Sequence, residues 1–307
     1  MWQFLGRRVA MGGITVFATT IAVTLLIHLV PGDPVQIMYA QSQGTTPAEI
    51  ETIRHGLGLD QPIYVQYLRF LGGLVHGDLG FTIRGHQPVL DVILERLPNT
   101  LVLAGSAMAL AVAIGLPIGF LAAYKRGTFI DAGLMVAAIG GVSIPHFWLG
   151  LMLMFLFSLK LGWLPVSGTG PLNLVLPALT LGLSNATVVA RMTRSSMIEI
   201  LQQDFVRTAE SKGLSRAVVL RRHVLRAGLV PIITMMGLQF SFMMGGAIVV
   251  ENIFAWNGVG RMAVEAIFQR DYPIIQGFIM TFAVVVVCVS IIIDAVYALV
   301  DPRIRRA

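Results

Sequence analysis

One cysteine, Cys288, is the whole complement of that residue in 307 positions, and it sits inside an apolar run. No intrachain disulfide and no cysteine-based metal cluster can form, so cysteine usage says nothing of redox compartment. Charge is scarce as well, at 12% of residues, and lysine is the scarcest cation: Lys125, Lys160 and Lys212 are all there is. None of the three follows a glycine, which excludes a Walker A phosphate cradle in this chain. A His-Glu-x-x-His pair, a nucleophile elbow and paired carboxylates within an apolar run are absent too, leaving a membrane enzyme little support. What the chain has instead is hydrophobic length. Its mean hydropathy is +0.78, and several apolar runs exceed the length of a water-soluble core helix, so the bilayer is the expected solvent.

A helix needs roughly 20 apolar residues to cross about 30 Å of hydrocarbon. Six runs meet that length: Val9 to Val30, Leu101 to Ala123, Leu134 to Leu159 with Pro145 inside it, Leu174 to Ala190, Leu229 to Val250, and Ile274 to Val300. The first follows Arg7 and Arg8 like a signal peptide, but its apolar part is too long and no small-x-small site follows, so a retained span is expected. With the N-terminus inside, the inner segments hold 15 of the 22 basic residues, and the outer segments hold the other seven against ten acids. The positive-inside rule therefore predicts cytoplasmic termini.

Three organisational pieces follow: residues 1–31, a cytoplasmic N-terminus and first span; residues 32–99, a small external cap of short helices; and residues 100–307, a five-helix membrane core. The cap segment is longer than an ordinary connection and includes helix-like stretches such as "PAEIETIRHGLGLDQPIYVQYLRFLGGLVHG". The external link Glu251 to Pro273 is too polar for the membrane core, yet Val259 to Phe268 within it is amphipathic and suited to the interface.

The connector at residues 204–226 is the long basic insert between two apolar runs. Asp204 is placed to cap a short helix, Phe205 and Ala209 share a face, and Gly213 suits a left-handed stop. Ser215 then begins a second helix, Arg216 to Ala227, on which Val218, Val219 and Val224 pack, while Arg216, Arg221, Arg222 and Arg226 stay wet or meet anionic lipid. A topology-fixing loop needs only scattered charge. Two capped helices meeting at a glycine, with small residues at Ala209 and Gly213, suit the close approach of another protein.

These residues resemble the cytoplasmic coupling loop of ABC-importer permeases in the dipeptide, oligopeptide and nickel branch, which includes glutathione importers. Arg207, Thr208, Ala209, Lys212, Gly213 and Leu214 stand at the places of that branch's Arg-Thr-Ala-x-x-Lys-Gly-Leu pattern, followed by "RHVLRAGLVP" from Arg222 to Pro231. Arg207 and Thr208 replace the Glu-Ala of the generic pattern. Similar stretches recur in order: "PGDP" at Pro31, "LGLDQPIYVQY" at Leu57, "HGDLG" at His76, "SIPHFWLG" at Ser143, "ENIFAWNGVGR" at Glu251, "RDYPIIQ" at Arg270 and "DPRIRR" at Asp301. Asn257 departs from the proline usual there.

The resemblance implies an all-α integral membrane protein of the type I importer permease fold, with six transmembrane helices. It also implies partners: a second homologous permease forming a heterodimer, two ABC ATPase subunits, an external binding protein, and membrane lipid, with no nucleic acid. No cofactor belongs to this chain, because ATP and Mg would be bound by the ATPase subunits, whose closure would move the connector and switch spans four and five between two packings. The place implied is the bacterial inner membrane.

Polar groups inside spans are candidates for a translocation pathway. Ser143, His146, Asn185, Gln239, Ser241 and Met243 form that set, with Ser184 and Asp294 as further polar positions, although helix-to-helix hydrogen bonding explains each one singly as well. Met235, Met236 and Met244 join Met243 as adaptable or merely core-filling thioethers. Gly115, Pro117 and Gly119 form a small-residue face that favours close helix packing. His28, His55, His76 and His86 fit no compact ligand set and read as surface or structural residues. Short peptides, glutathione among them, are the first expected cargo, with nickel as a chelate the alternative. A stand-alone secondary transporter or channel is the alternative of another class, and Asp294 as the one acid well inside a span gives it a poor ion relay.

Overall fold

A computed structural model describes residues 2–29, 51, 54–55, 60–83, 85–168, 170–215 and 218–300. The "PGDP" and "DPRIRR" stretches, most of the cap segment before Asp60, and Arg216 lie outside them. Ten α-helices follow in order among the described residues: α1 Trp2–Leu29, α2 Ile63–Val75, α3 Val89–Tyr124, α4 Phe129–Ser143, α5 His146–Leu153, α6 Pro171–Leu201, α7 Asp204–Ser211, α8 Leu225–Ile253, α9 Val259–Gln269 and α10 Tyr272–Val300. Two π-helical stretches, Met154–Lys160 and Val219–Val224, continue α5 and lead into α8.

Among the described residues, five helices are long and apolar enough to cross a membrane, within Gly6–Leu25, Val89–Tyr124, Pro171–Leu201, Pro231–Ile253 and Tyr272–Ala295. The third expected span, Leu134 to Leu159, is sharply bent, so the described residues hold five candidate spans, or six if the bent pair is one. It is a broken pair in which α4 and the α5 segment meet at 98°. The cause is local: proline drives the preceding residue out of the helical region, and Ile144 is extended (φ −83, ψ 120) with Pro145 behind it (φ −62, ψ 140). The second span also starts earlier than its apolar run, since α3 begins at Val89 and includes 36 residues, about 54 Å of helix against about 30 Å of hydrocarbon.

The described residues divide into two compact units. One holds Asn99–Asn257 and the described residues from Val289 onward. Its core gathers Leu103 and Ala107 of α3, Leu176 and Leu181 of α6, and Met243, Ala247 and Val250 of α8, closed by Phe254. The expected small-residue packing face is present. A Cβ on Gly115 would lie 2.6 Å from the Ala186 carbonyl oxygen, and one on Gly119 would lie 2.6 Å from the Thr193 Cβ, so glycine is what lets α3 and α6 touch backbone to backbone.

The other unit holds Gly6–Pro98 and Gly258–Cys288. Val89 and Ile93 at the start of α3 pack with Val259 and Met262 of α9, joined by Ile274 and Phe278 of α10. The Thr20 hydroxyl meets the Tyr67 hydroxyl at 3.0 Å, tying α1 to α2. An antiparallel bridge pairs Phe81 with Pro88, and the buried Asp271 carboxylate accepts the Ile83 amide at 3.0 Å while capping the start of α10. The amphipathic stretch expected at Val259 to Phe268 is helix α9.

Candidate functional site

The connector between α6 and α8 is built around α7. One face of this helix is apolar: Val206 and Ala209 are buried with Met197 and Ile200 of α6, Val219 and Val224 of the π stretch, and Ile232 of α8. Ala209 therefore packs against its own chain. Arg207, Thr208, Lys212, Gly213 and Leu214 are all exposed, and so are Phe205 and Val218. Asp204 and Glu210 are exposed as well, so the outer surface mixes apolar side chains with charges of both signs.

Gly213 ends α7 as its type suggests, at φ +78, where a side chain is strained. Its amide donates to the Glu210 carbonyl at 2.9 Å. A Cβ built there meets nothing within 4 Å, so the demand for glycine inside this chain is conformational and not steric.

Three local expectations are corrected. Gln203, not Asp204, holds the N-cap position, with no side-chain bond, and Asp204 lies in the first turn, where its charge favours the helix dipole. The helix after Gly213 does not stop at Ala227. The Ser215 carbonyl accepts the Val218 and Val219 amides at 2.9 and 3.0 Å, and the π stretch runs straight into α8, because nothing between Ala227 and Leu229 breaks a helix and Gly228 is buried against Met197. Val218 is 40% exposed, whereas Val219 and Val224 are buried.

Above the connector, Arg194 of α6 grips Asp131 of α4 with Nε on one oxygen at 2.6 Å and Nη2 on the other at 2.8 Å. Asp131 is buried and also accepts the Gly127 amide at 3.0 Å. The sequence reading passed over this pair. Its one local signal was Thr128 three residues ahead of Asp131, an N-cap that the structure contains; the Arg194 partner is set by how α4 meets α6.

The expected pathway residues do not converge on one site. The Asn185 and Gln239 side chains are hydrogen-bonded to one another across α6 and α8, and Asn185 also donates to the Leu181 carbonyl at 2.7 Å. Ser143 and Ser241 turn their hydroxyls back onto their own helices, at Ile139 and Gly237. Met243 is 1% exposed, inside the core. His146 opens α5 at the bend. Thr193, missed in the sequence because threonine in a helix seldom stands out, is 2% exposed and its hydroxyl has no hydrogen-bond partner.

A second polar network surrounds the end of α8, buried at Thr100 and Glu251 and reaching the surface at Asn257. The Thr100 hydroxyl donates to the Glu251 carboxylate at 2.5 Å, with Glu251 fully buried. The Trp256 indole donates to the Asn99 carbonyl at 3.0 Å, and the Asn99 amide donates to the Asn257 carbonyl at 2.7 Å. Glu251, expected at the start of an external polar link, is fully buried. Among the described residues no group of three His, Cys, Asp or Glu side chains could hold a metal ion. His55 contacts Asp60 at 2.9 Å and His76 contacts the Gly72 carbonyl at 2.8 Å.

The fold superimposes on a chain of the MetNI methionine ABC transporter in an inward-facing conformation with a TM-score of 0.60 at 16% identity, over 68% of this chain and 96% of that one. Family profiles then define it more narrowly. Residues 115–306 match the binding-protein-dependent transport system inner membrane component, and residues 1–104 match its N-terminal component. The chain belongs to that family and is a multi-pass inner-membrane permease of an ABC importer, a subunit that transports without being the catalytic one. It is 40% identical to the di/tripeptide transport system permease protein of Pseudomonas aeruginosa strain UCBPP-PA14, over 100% of this chain and 99% of that protein. It is also 40% identical to the glutathione transport system permease protein of Escherichia coli strain K12, over 95% of each. Membership implies ATPase and binding-protein partners in general terms.

Proposed function

We propose that this permease provides half of a translocation pathway for short peptides, including glutathione-like ones, delivered by an external binding protein. A second homologous permease provides the other half as a heterodimer, both termini face the cytoplasm, and the bent α4–α5 pair counts as the sixth span. The full-length relatives at 40% identity that carry di/tripeptides or glutathione support the cargo. The observation that carries the coupling mechanism is the two-sided α7: its buried face is anchored to α6 and α8, while Phe205 and Arg207 are exposed on the other and Lys212 and Leu214 just beyond its end.

The physical consequence is direct. Two ABC ATPase subunits, holding ATP and Mg, grip the exposed face of α7 and of its counterpart on the second permease. Closure of the ATPases displaces α7, and since Val206 and Ala209 are locked into the α6 and α8 side chains, the displacement passes to those spans and not to a loose loop. Gly213 sets the angle between α7 and the π stretch that leads into α8. Thr208 and Arg207 complete the gripped face.

Reconstitution of this chain with its partner permease, ATPases and binding protein in proteoliposomes tests the reading. ATP-dependent accumulation of labelled dipeptides or glutathione is expected. Accumulation of nickel with no peptide uptake, or uptake by this chain without any ATPase subunit, would overturn it.

A further inference from the structure

The turn between α3 and α4 reads Tyr-Lys-Arg-Gly-Thr-Phe from Tyr124 to Phe129. Both cations are exposed, and neither forms an ion pair among the described residues. Lys125 Nζ rests 5.6 Å from the Tyr124 ring centroid, while the Asp131 carboxylate is already committed to Arg194. Phe129 opens α4 with 98% of its surface exposed, more than any other large apolar side chain among the described residues. A bare phenylalanine beside two cations without a counter-charge suits a partner that is apolar at one end and anionic at the other.

Local geometry holds this display in place. Gly127 turns the chain at φ +78, its amide donates to the Asp131 carboxylate at 3.0 Å, and the Thr128 hydroxyl donates to the Lys125 carbonyl at 2.6 Å. A turn already set loses little freedom on binding. Beyond Asp131, α4 carries no charged residue to its end at Ser143. Phe129 and the exposed Val136 lie two turns apart on one face, with exposed Ile130 beside them. At 15 residues, or about 22 Å, α4 is longer than one leaflet of hydrocarbon is deep, about 15 Å. A water-soluble ATPase cannot cover a face that continues into hydrocarbon, and a homologous permease would bring basic inner connectors of its own to a basic turn. A phospholipid with an anionic headgroup answers both ends at once.

We propose that the α3–α4 turn is a binding site for an anionic phospholipid: Lys125 and Arg126 hold the headgroup phosphate, and an acyl chain lies along Phe129 and Val136. The bound lipid fastens the start of α4 to the membrane surface, at the place where Asp131 and Arg194 fasten it to α6.

The experiment places the complete transporter in phosphatidylcholine vesicles that carry a trace of phosphatidylglycerol with a diazirine on its acyl chain, so that labelling follows affinity. Crosslinks mapped by mass spectrometry are expected on Phe129, Ile130 or Val136. Their yield is expected to fall about fivefold in Lys125→Gln or Arg126→Gln and about thirtyfold in the double variant, the scale of one and two surface cations facing anionic lipid. Arg126→Lys is expected to keep most of the labelling, because the phosphate needs charge there. A diazirine phosphatidylcholine at the same level is expected to label α4 weakly and to ignore all the variants. Raising the salt concentration on the wild-type complex gives a second reading that needs no substitution: labelling by phosphatidylglycerol should drop through screening while that by phosphatidylcholine holds. Equal labelling by the two lipids, or a yield unmoved by both the double variant and salt, would overturn the site. Crosslinks that join Phe129 to an ATPase or to the second permease, with no lipid adduct on α4, would overturn it as well and assign the turn to that subunit.

Discussion

Asp131 and Arg194 form a two-point ion pair in which each carboxylate oxygen takes one guanidinium nitrogen, at 2.6 and 2.8 Å. The pair fastens the beginning of α4 to α6 on the approach to α7. Asp131 is 7% exposed and Arg194 27%, so the acid is the more deeply committed partner. Removing one charge strands the other. Arg194→Gln is expected to lower stability by about 3 kcal/mol, the lower end for broken buried pairs because arginine keeps some solvent. Thermal unfolding in detergent checks this, with the double variant Asp131→Leu/Arg194→Met expected to lose less than either single change.

Gly115 and Gly119 meet backbone of α6, which cannot swing aside as a flexible side chain would. Gly119→Ala and Gly115→Ala are each expected to cost about 1–3 kcal/mol by forcing α3 from α6. Gly105 and Gly133 lie in helices with nothing within 4 Å of a built Cβ. Alanine at either is expected to stabilise by about 0.5–1 kcal/mol. Melting curves of the four variants should split in opposite directions, and equal shifts would show that helix propensity, not contact, governs these positions.

Gly213 has room for a side chain but the wrong backbone for most of them. Gly213→Asn is expected to be tolerated better than Gly213→Val, because asparagine accepts the left-handed region and a β-branched residue does not, a difference of about 1 kcal/mol or more. In the assembled transporter the valine variant should hydrolyse ATP while taking up less cargo. Parallel assays of hydrolysis and uptake would register that separation, and full uptake in Gly213→Val would remove the connector from the coupling path.

Thr100→Val removes the hydroxyl that donates to the buried Glu251 carboxylate without changing side-chain size much. A loss of about 1–3 kcal/mol is expected. Trp256, bonded to Asn99 in the same region, gives a fluorescence signal with which to follow the transition.

Much of this was legible in the residues themselves. Apolar length located the spans, since a bilayer demands about 20 residues of helix whatever the neighbours do. Gly213 disclosed its left-handed turn, and the connector's motif disclosed the family. The bend at Pro145 was half legible: the proline announced a break by driving Ile144 out of the helical region, but the 98° angle between the two pieces was not written in it. The burial of Glu251, the partnership of Asp131 with Arg194 and the unpaired hydroxyl of Thr193 were not legible at all.

The sequence alone determined that the chain crosses a membrane, roughly where it does so, that it carries no phosphate cradle, and which connector is long and basic. These follow from hydrophobic length, residue type and backbone preference, all of which act over a few turns of chain. Only the tertiary structure decided which polar groups of α4, α6 and α8 satisfy one another, because hydrogen-bond partners 54 or 63 positions apart are chosen by helix rotation and close approach. Those in turn depend on the glycines of α3 meeting the backbone of α6, a relationship between surfaces that no local stretch of residues expresses.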